Sequence, residues 1–145
     1  MAAPRPDLSQ ARNRELAPSL AGPVIRRLAE LPEWRSICGF RRDLLAAGES
    51  PYASIHYMRI EGSVRHHHRR TTEFYYVVEG EGWMELDGEW HPIRKGDLIV
   101  VPPHTWHTSK HDEGNELHIL IIACPPETTG HADCYFQEGE LTPPR

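Results

Sequence analysis

The chain predicts an all-β fold, a single-domain antiparallel β-sandwich or β-barrel, on three observations. Runs of four to eight residues rich in β-branched and aromatic side chains recur at short intervals after Pro51, turn signals separate them, and breakers are abundant, with 13 Pro and 11 Gly in 145 residues. That length suits one domain with one core. No sustained helical period and no internal repeat competes with the strands.

Residues 1–22, rich in Pro, Arg, Ala and Ser, read as a flexible or partner-docked N-terminal arm with room for a short helix over 8–16, and residues 23–145 as the barrel domain. Residues 24–25 and 36–40 are candidate strands, and 28–31 a helical turn stopped by Pro32. Beyond Pro51 the pattern is plainer. Residues 53–60 (ASIHYMRI) form a strand ended by Glu61-Gly62, and 64–68 are short and extended. Residues 73–78 (EFYYVV) form a strand, followed by a turn at Glu79-Gly80-Glu81-Gly82. Residues 83–86 and 89–93 pair across Asp87-Gly88, a hairpin signal. After Lys95-Gly96-Asp97, residues 98–101 (LIVV) run to Pro102-Pro103, and 117–123 (LHILIIA) form the last long strand before Pro125-Pro126.

Charge and cysteine usage exclude several classes. The net charge of -5 and the lack of basic runs interleaved with aromatics argue against nucleic acid as a partner. Residues 1–70 carry net +5 and 71–145 net -10, so an Arg-rich arm lying on a partner's acidic half is one reading and uneven surface composition the other. Cys38, Cys124 and Cys134 are odd in number and lack a CxxC pair, which fits reduced thiols in a cytoplasm, and Cys124 reads as an inert buried thiol. The N-terminal stretch lacks the apolar centre of a secretory signal, and no apolar run is long enough to cross a membrane.

The ten histidines matter for their placement. In a strand, residues two apart share a face, so His66 and His68 can converge on one ion while His67 points away. A tight reversal across 69–72 brings Glu73 onto the neighbouring strand, and His107, beyond the Pro-Pro turn, can complete the set. Three imidazoles and a carboxylate make an N/O site for a borderline divalent metal. A lone HxH pair is weak evidence; the ordered series Gly62, His66, His68, Glu73, Gly80, Gly96, Pro102, His107 is much stronger. His104 and His111 read as barrel-rim residues, His67, His91 and His131 as solvent-facing, and His56 or His118 as a partner that orients a ligand imidazole.

This series resembles the cupin superfamily over residues 51–123, about half of the chain. Its first motif stands here as Gly62-x3-His66-x-His68-x4-Glu73-x6-Gly80, with three residues where the family usually has five between the Gly and the first His. The second stands as Gly96-x5-Pro102-x-His104-x2-His107-x3-His111, with His104 in place of a Gly and His111 in place of an Asn. Neither replacement touches a ligand position, though both put the local turn geometry in question. The resemblance implies a jelly-roll (double-stranded β-helix) barrel, one divalent metal ion per chain (iron first; manganese, nickel or zinc otherwise) and a homodimer.

Cupins span dioxygenases, decarboxylases, isomerases, epimerases, lyases and sugar-binding proteins, so fold alone does not select an activity. Four protein ligands leave about two of six positions open, which favours a functional ion over a closed structural site. The leading expectation is an enzyme acting on a small molecule, a mononuclear non-haem iron-type dioxygenase; the alternatives are a metal-dependent isomerase, lyase or decarboxylase, or a non-catalytic sugar-type binding cupin. A barrel that has lost its site is disfavoured by the full ligand set. Tyr75 shares strand parity with Glu73 and is either a proton-transfer group or a core aromatic. Arg59, on the same face as Tyr57, either holds a substrate carboxylate or is a surface charge.

Overall fold

The computed structural model describes residues 6–127 and 131–136. Among them, ten strands form one antiparallel sheet curled into a jelly-roll half-barrel: β1 (Trp34–Arg35), β2 (Gly39–Leu45), β3 (Ser54–Ile60), β4 (His66–His67), β5 (Thr72–Leu86), β6 (Glu89–Arg94), β7 (Leu98–Val101), β8 (His107–His111), β9 (Leu117–Cys124) and β10 (Tyr135–Phe136). A single turn of helix, α1 (Ser9–Arg12), and a 3-10 turn at Leu28–Glu30 precede them. No helix among the described residues is long and apolar enough to cross a membrane.

The longest strand organises the rest. The first half of β5 pairs with β9 on one side and β7 on the other, and its second half pairs with β6 and β8. The turn expected at Glu79-Gly80-Glu81-Gly82 is therefore a correction: the stretch is the corner where one continuous strand passes from one half of the sheet to the other. A register shift between Val77 and Glu79 sharpens the bend. Gly80 takes a positive φ of 87°, and a side chain at Gly80 or Gly82 would collide with the carbonyl of Glu116 or Lys110. The glycines that resemble a hairpin loop are there because neighbouring backbone leaves no room for a Cβ.

Alternation along β3 and β9 sorts side chains into two faces. Inward, cross-strand rows read Ser54–Ala123–Glu73, His56–Ile121–Tyr75 and Met58–Ile119–Val77. Met58, Val77, Ile119 and Ile121 are at most 1% exposed, and burying each side chain contributes about 1.5–3 kcal/mol. Outward, the rows read Ile55–Ile122–Phe74–Val100 and Tyr57–Leu120–Tyr76–Leu98, an apolar face of which Tyr76, Leu98 and Val100 are exposed.

The N-terminal half keeps its expected helical turns and departs from expectation in its strands. Residues 24–25 form no strand, and the 36–40 candidate resolves into β1 and β2 on either side of a tight turn in which Ser36 N–H donates to the Gly39 carbonyl at 2.7 Å. Residues 6–22 lie on their own barrel: Ala11 is buried, Ala17 N–H donates to the Ala47 carbonyl at 2.8 Å, and Arg14 pairs with Asp43 of β2 at 3.2 Å.

Candidate metal centre

Four side chains from four places in the chain meet inside the barrel. His66 begins β4, His68 follows it, Glu73 stands near the start of β5 and His107 opens β8. The register His66↔His107 places those two rings 4.3 Å apart, and the His68 ring lies 5.0 Å from His66. One ligand atom from each residue lies within 4.8 Å of the others, and all four residues are buried.

Hydrogen bonds fix which atoms face inward. His66 Nδ1–H donates to the Val64 carbonyl at 2.7 Å, His107 Nδ1–H to the Thr105 carbonyl at 2.8 Å, and His68 Nδ1–H to the Asp133 carbonyl at 3.0 Å. With each Nδ1 committed as a donor, a neutral imidazole presents its Nε2 lone pair to the centre. Glu73 Oε1 lies 2.7 Å from His68 Nε2 and 3.1 Å from His107 Nε2. Three imidazole nitrogens and one carboxylate oxygen thus converge in a dry place, a donor set that fits a borderline divalent cation and can hold one.

Electrostatics describe the same need. Burial penalises charge on His68, but the Glu73 carboxylate and the Cys134 contact outweigh it and hold the ring protonated, up to about 11. Burial pushes His66 well below its ordinary range, and the neighbouring His107 and His68 push it further. Burial works against ionisation of Glu73, yet His68 and His107 together keep it well below the usual carboxylate range. Without an ion, one shared proton balances Glu73; a divalent cation supplies that balance to all four groups at once.

Tyr75 reaches the same centre, 1% exposed, with its hydroxyl 3.4 Å from Glu73 Oε1 and its ring edge-on to His107. Burial, then the charge of Glu73, pushes its phenol well above its ordinary range, so it stays a donor. Arg59 does not reach the centre, which corrects the expectation of a substrate contact. It shares a face with Tyr57, as expected, but that is the outer face: Arg59 pairs in register with His118, stacks on Phe40 and lies 3.5 Å from Glu33. The inward arginine is Arg41 of β2, 3% exposed, held by Asp43 at 2.7 Å and by Glu127 at 2.8 Å. Its cluster borders a cavity of about 400 Å³ lined by Trp34, Asp43, Glu127, His131 and α1-side residues, and by none of His66, His68, Glu73 or His107.

Other histidines divide between expectation and correction. His104 is exposed and His111 lies half-buried against Glu61 at 3.1 Å, both at the rim. His104 adopts a φ of 67°, so the turn keeps the left-handed conformation natural to glycine, and its N–H donates to the His68 carbonyl at 2.6 Å. His67 and His131, expected in solvent, are packed: His67 stacks on Tyr135 and meets Trp106 edge-on, and the His131 side chain is 7% exposed beside Glu127. His56 is buried behind Tyr75 in the cross-strand row and touches no ligand imidazole through a hydrogen bond; its Nδ1 has no partner among the described residues. Cys124 is half-buried, whereas Cys38 is buried, and all three cysteines are unpaired.

Asp133 and Cys134 escaped the sequence reading. They lie some sixty residues from His68, and no local pattern announces that the chain returns there; a tyrosine–phenylalanine pair forming β10 is the one faint strand signal.

A model described as "Cupin domain" matches residues 55–123, the stretch that carries both histidine motifs. L-ectoine synthase from Halomonas elongata is 30% identical over 104 residues, 69% of this chain and 73% of that protein. 3-Hydroxyanthranilate 3,4-dioxygenase from Jannaschia sp. is 35% identical over 72 residues, 47% of this chain and 39% of that protein. A crystal structure of a protein from Planctomyces limnophilus superposes with a TM-score of 0.70 at 28% identity, covering 80% of this chain and 98% of that one. The chain spans about half the length, or less, of most curated relatives it matches. Matched by that model over its motif-bearing strands, and by whole-barrel superposition around them, the chain belongs to the cupin superfamily.

Proposed function

We propose that this chain is a metal-dependent enzyme acting on a small molecule, that one divalent ion, iron in first place, is held by His66, His68, Glu73 and His107, and that its reaction is a dioxygenation. The observation carrying this reading is the convergence of three Nε2 atoms and a carboxylate oxygen beside a buried phenol. Bound there, the ion supplies Lewis acidity and, as iron(II), access to dioxygen. The chain's own groups do the rest. Tyr75 offers a hydroxyl that can donate to a substrate oxygen next to Glu73. Ile121 in the same inner row as Tyr75, with Met58 and Ile119 in the next, keeps bulk water from that hydrogen bond. The likeness to 3-hydroxyanthranilate 3,4-dioxygenase supports the oxidative reading.

The test is oxygen uptake by iron-loaded protein over panels of catechols, thiols and keto acids, with Tyr75→Phe alongside. The reading expects uptake with one class and a turnover loss of about 100-fold in the variant at unchanged iron content. A second reading, isomerase, lyase or decarboxylase chemistry, is favoured by the longer match to L-ectoine synthase. Turnover without oxygen consumption, with manganese, nickel or zinc, selects it; tight ligand binding with no turnover selects a binding cupin.

We also propose that two copies pair through the outer apolar face. Five strands at about 4.8 Å spacing and seven residues at about 3.4 Å give a face of roughly 24 by 24 Å, about 580 Å², most of the ~800 Å² per partner of a standard interface. Leu98→Lys and Tyr76→Lys together are expected to yield monomers in sedimentation; an unchanged mass counts against that face. The unpaired cysteines support a cytoplasmic setting.

A further inference from the structure

Glu73 and His68 are separated by a loop of four residues, so the loop's shape sets the distance between two ligands. Its hydrogen bonding is unusual. Arg69 N–H donates to Asp133 Oδ1 at 3.2 Å, and Arg70 N–H and Thr71 N–H donate to Asp133 Oδ2 at 3.1 and 3.2 Å. Three consecutive main-chain donors therefore close on one carboxylate, a concave arrangement that suits an anion. None of the three has a main-chain partner outside strand ladders among the described residues. The main-chain carbonyl of the same Asp133 accepts from His68 Nδ1, and Cys134 Sγ lies 3.6 Å from that nitrogen.

The segment carrying Asp133 is itself anchored. β10 pairs with β4 in the register Tyr135↔His67 and Phe136↔His66, Arg69 lies over the Tyr135 ring at 3.8 Å, and Thr71 Oγ1–H donates to the Pro125 carbonyl at 3.1 Å. One residue thus touches the back of one ligand and three of the four residues that lead to the next.

We propose that Asp133 is the positioning residue of the metal centre: its carboxylate shapes the 69–71 loop so that His68 and Glu73 stand at ligand spacing, while its carbonyl fixes the His68 tautomer. This rests on the metal reading above. Asp133 touches neither the ligand atoms of the centre nor Tyr75, so its effect is read in how well the four ligands gather. Replacing it leaves three N–H groups to water and frees the loop; the His68–carbonyl bond, being main-chain, survives only as far as the segment stays in place.

The experiment titrates ion-free protein with cobalt(II), following the d–d absorption bands, in wild type, Asp133→Ala and Asp133→Asn, with circular dichroism confirming the fold. The expected result is a cobalt affinity about 10–100-fold weaker in Asp133→Ala with altered band shape, and a smaller loss in Asp133→Asn, which keeps one acceptor oxygen. Binding in wild type with equal affinity and identical bands in a folded variant overturns the positioning role alone. No cobalt binding in wild type overturns the metal reading and the positioning role with it. Should Asp133→Ala fail to fold, the near-isosteric Asp133→Asn decides by the same two readouts.

Discussion

Two buried polar clusters share this barrel, and they are built on opposite principles. Around Arg41, the cations Arg41 and Arg14 meet the anions Asp43 and Glu127 with Trp34 Nε1–H donating to Asp43 at 2.8 Å, so charge and hydrogen bonds close on themselves. Around Glu73, three imidazoles and one carboxylate aim ligand atoms at a common point, and among the described residues a shared proton and the Tyr75 hydroxyl are what meets them. The first cluster is complete as it stands and holds β2, the N-terminal segment and Glu127 together. The second has the ligand atoms to take an ion from outside. Burial alone does not mark a functional site; convergence of unbalanced acceptors does.

That contrast can be broken in order of expected size. Arg41→Met removes the buried cation that pairs with both Asp43 and Glu127, and urea unfolding is expected to show a loss of about 3–5 kcal/mol, with cobalt stoichiometry unchanged in the folded fraction. A similar loss of cobalt binding would mean the two clusters are one site.

Acid should then act on the closed cluster through His56, which pairs in register with Asp43. Burial, then the nearby charge of Arg41, lowers His56 to about 4 against the pull of Glu127, Glu73 and Asp43. The unfolded chain takes up that proton near pH 6.5 and the folded chain resists it, so the stabilisation is fully present above 6.5 and lost as pH falls towards 4. The difference corresponds to about 3 kcal/mol. Burial opposes the ionisation of Glu127 and Asp43 too, but Arg41 keeps both below the ordinary carboxylate range, which extends the loss to lower pH. Urea midpoints of ion-free protein against pH check this, and His56→Gln should flatten the fall between pH 6.5 and 4.

The open cluster should respond to ions instead. At an ion concentration 100 times Kd, unfolding free energy is expected to rise by about 2.7 kcal/mol and to return to the starting value with a chelator. A His107→Ala variant that gained as much would show binding elsewhere.

The smallest effect is local. His104 holds a left-handed φ of 67° in the turn that leads to His107. His104→Gly relieves that strain and is expected to raise stability by about 0.5–1 kcal/mol by thermal melting, with metal affinity unchanged.

How much of this was legible depended on whether local pattern sufficed. β3, β7 and β9 followed from runs of strand-forming residues bounded by turn signals, and the ligands from strand parity, because His66 and His68 share a face whatever the rest of the chain does. Parity without phase misled at Arg59: polar Ser54 and His56 lie on the inner face of β3 and hydrophobic Ile55 on the outer, so hydrophobicity did not tell inside from outside. Glycine misled at 79–82, since a strand corner under close backbone and a turn ask for the same residue. Asp133, the inward Arg41 and the contact of His131 with Trp34 depend on pairings between distant segments, which no local window contains.

The measurement bearing most directly on the open cluster is metal content by mass spectrometry of untagged protein purified without added metal, beside a His66→Ala/His107→Ala double variant. The account predicts about one divalent ion per chain, iron foremost, in the wild type and none in the variant. Folded wild type that carries no ion and takes up none on titration would contradict it, leaving a cupin barrel whose histidines are ordinary core residues.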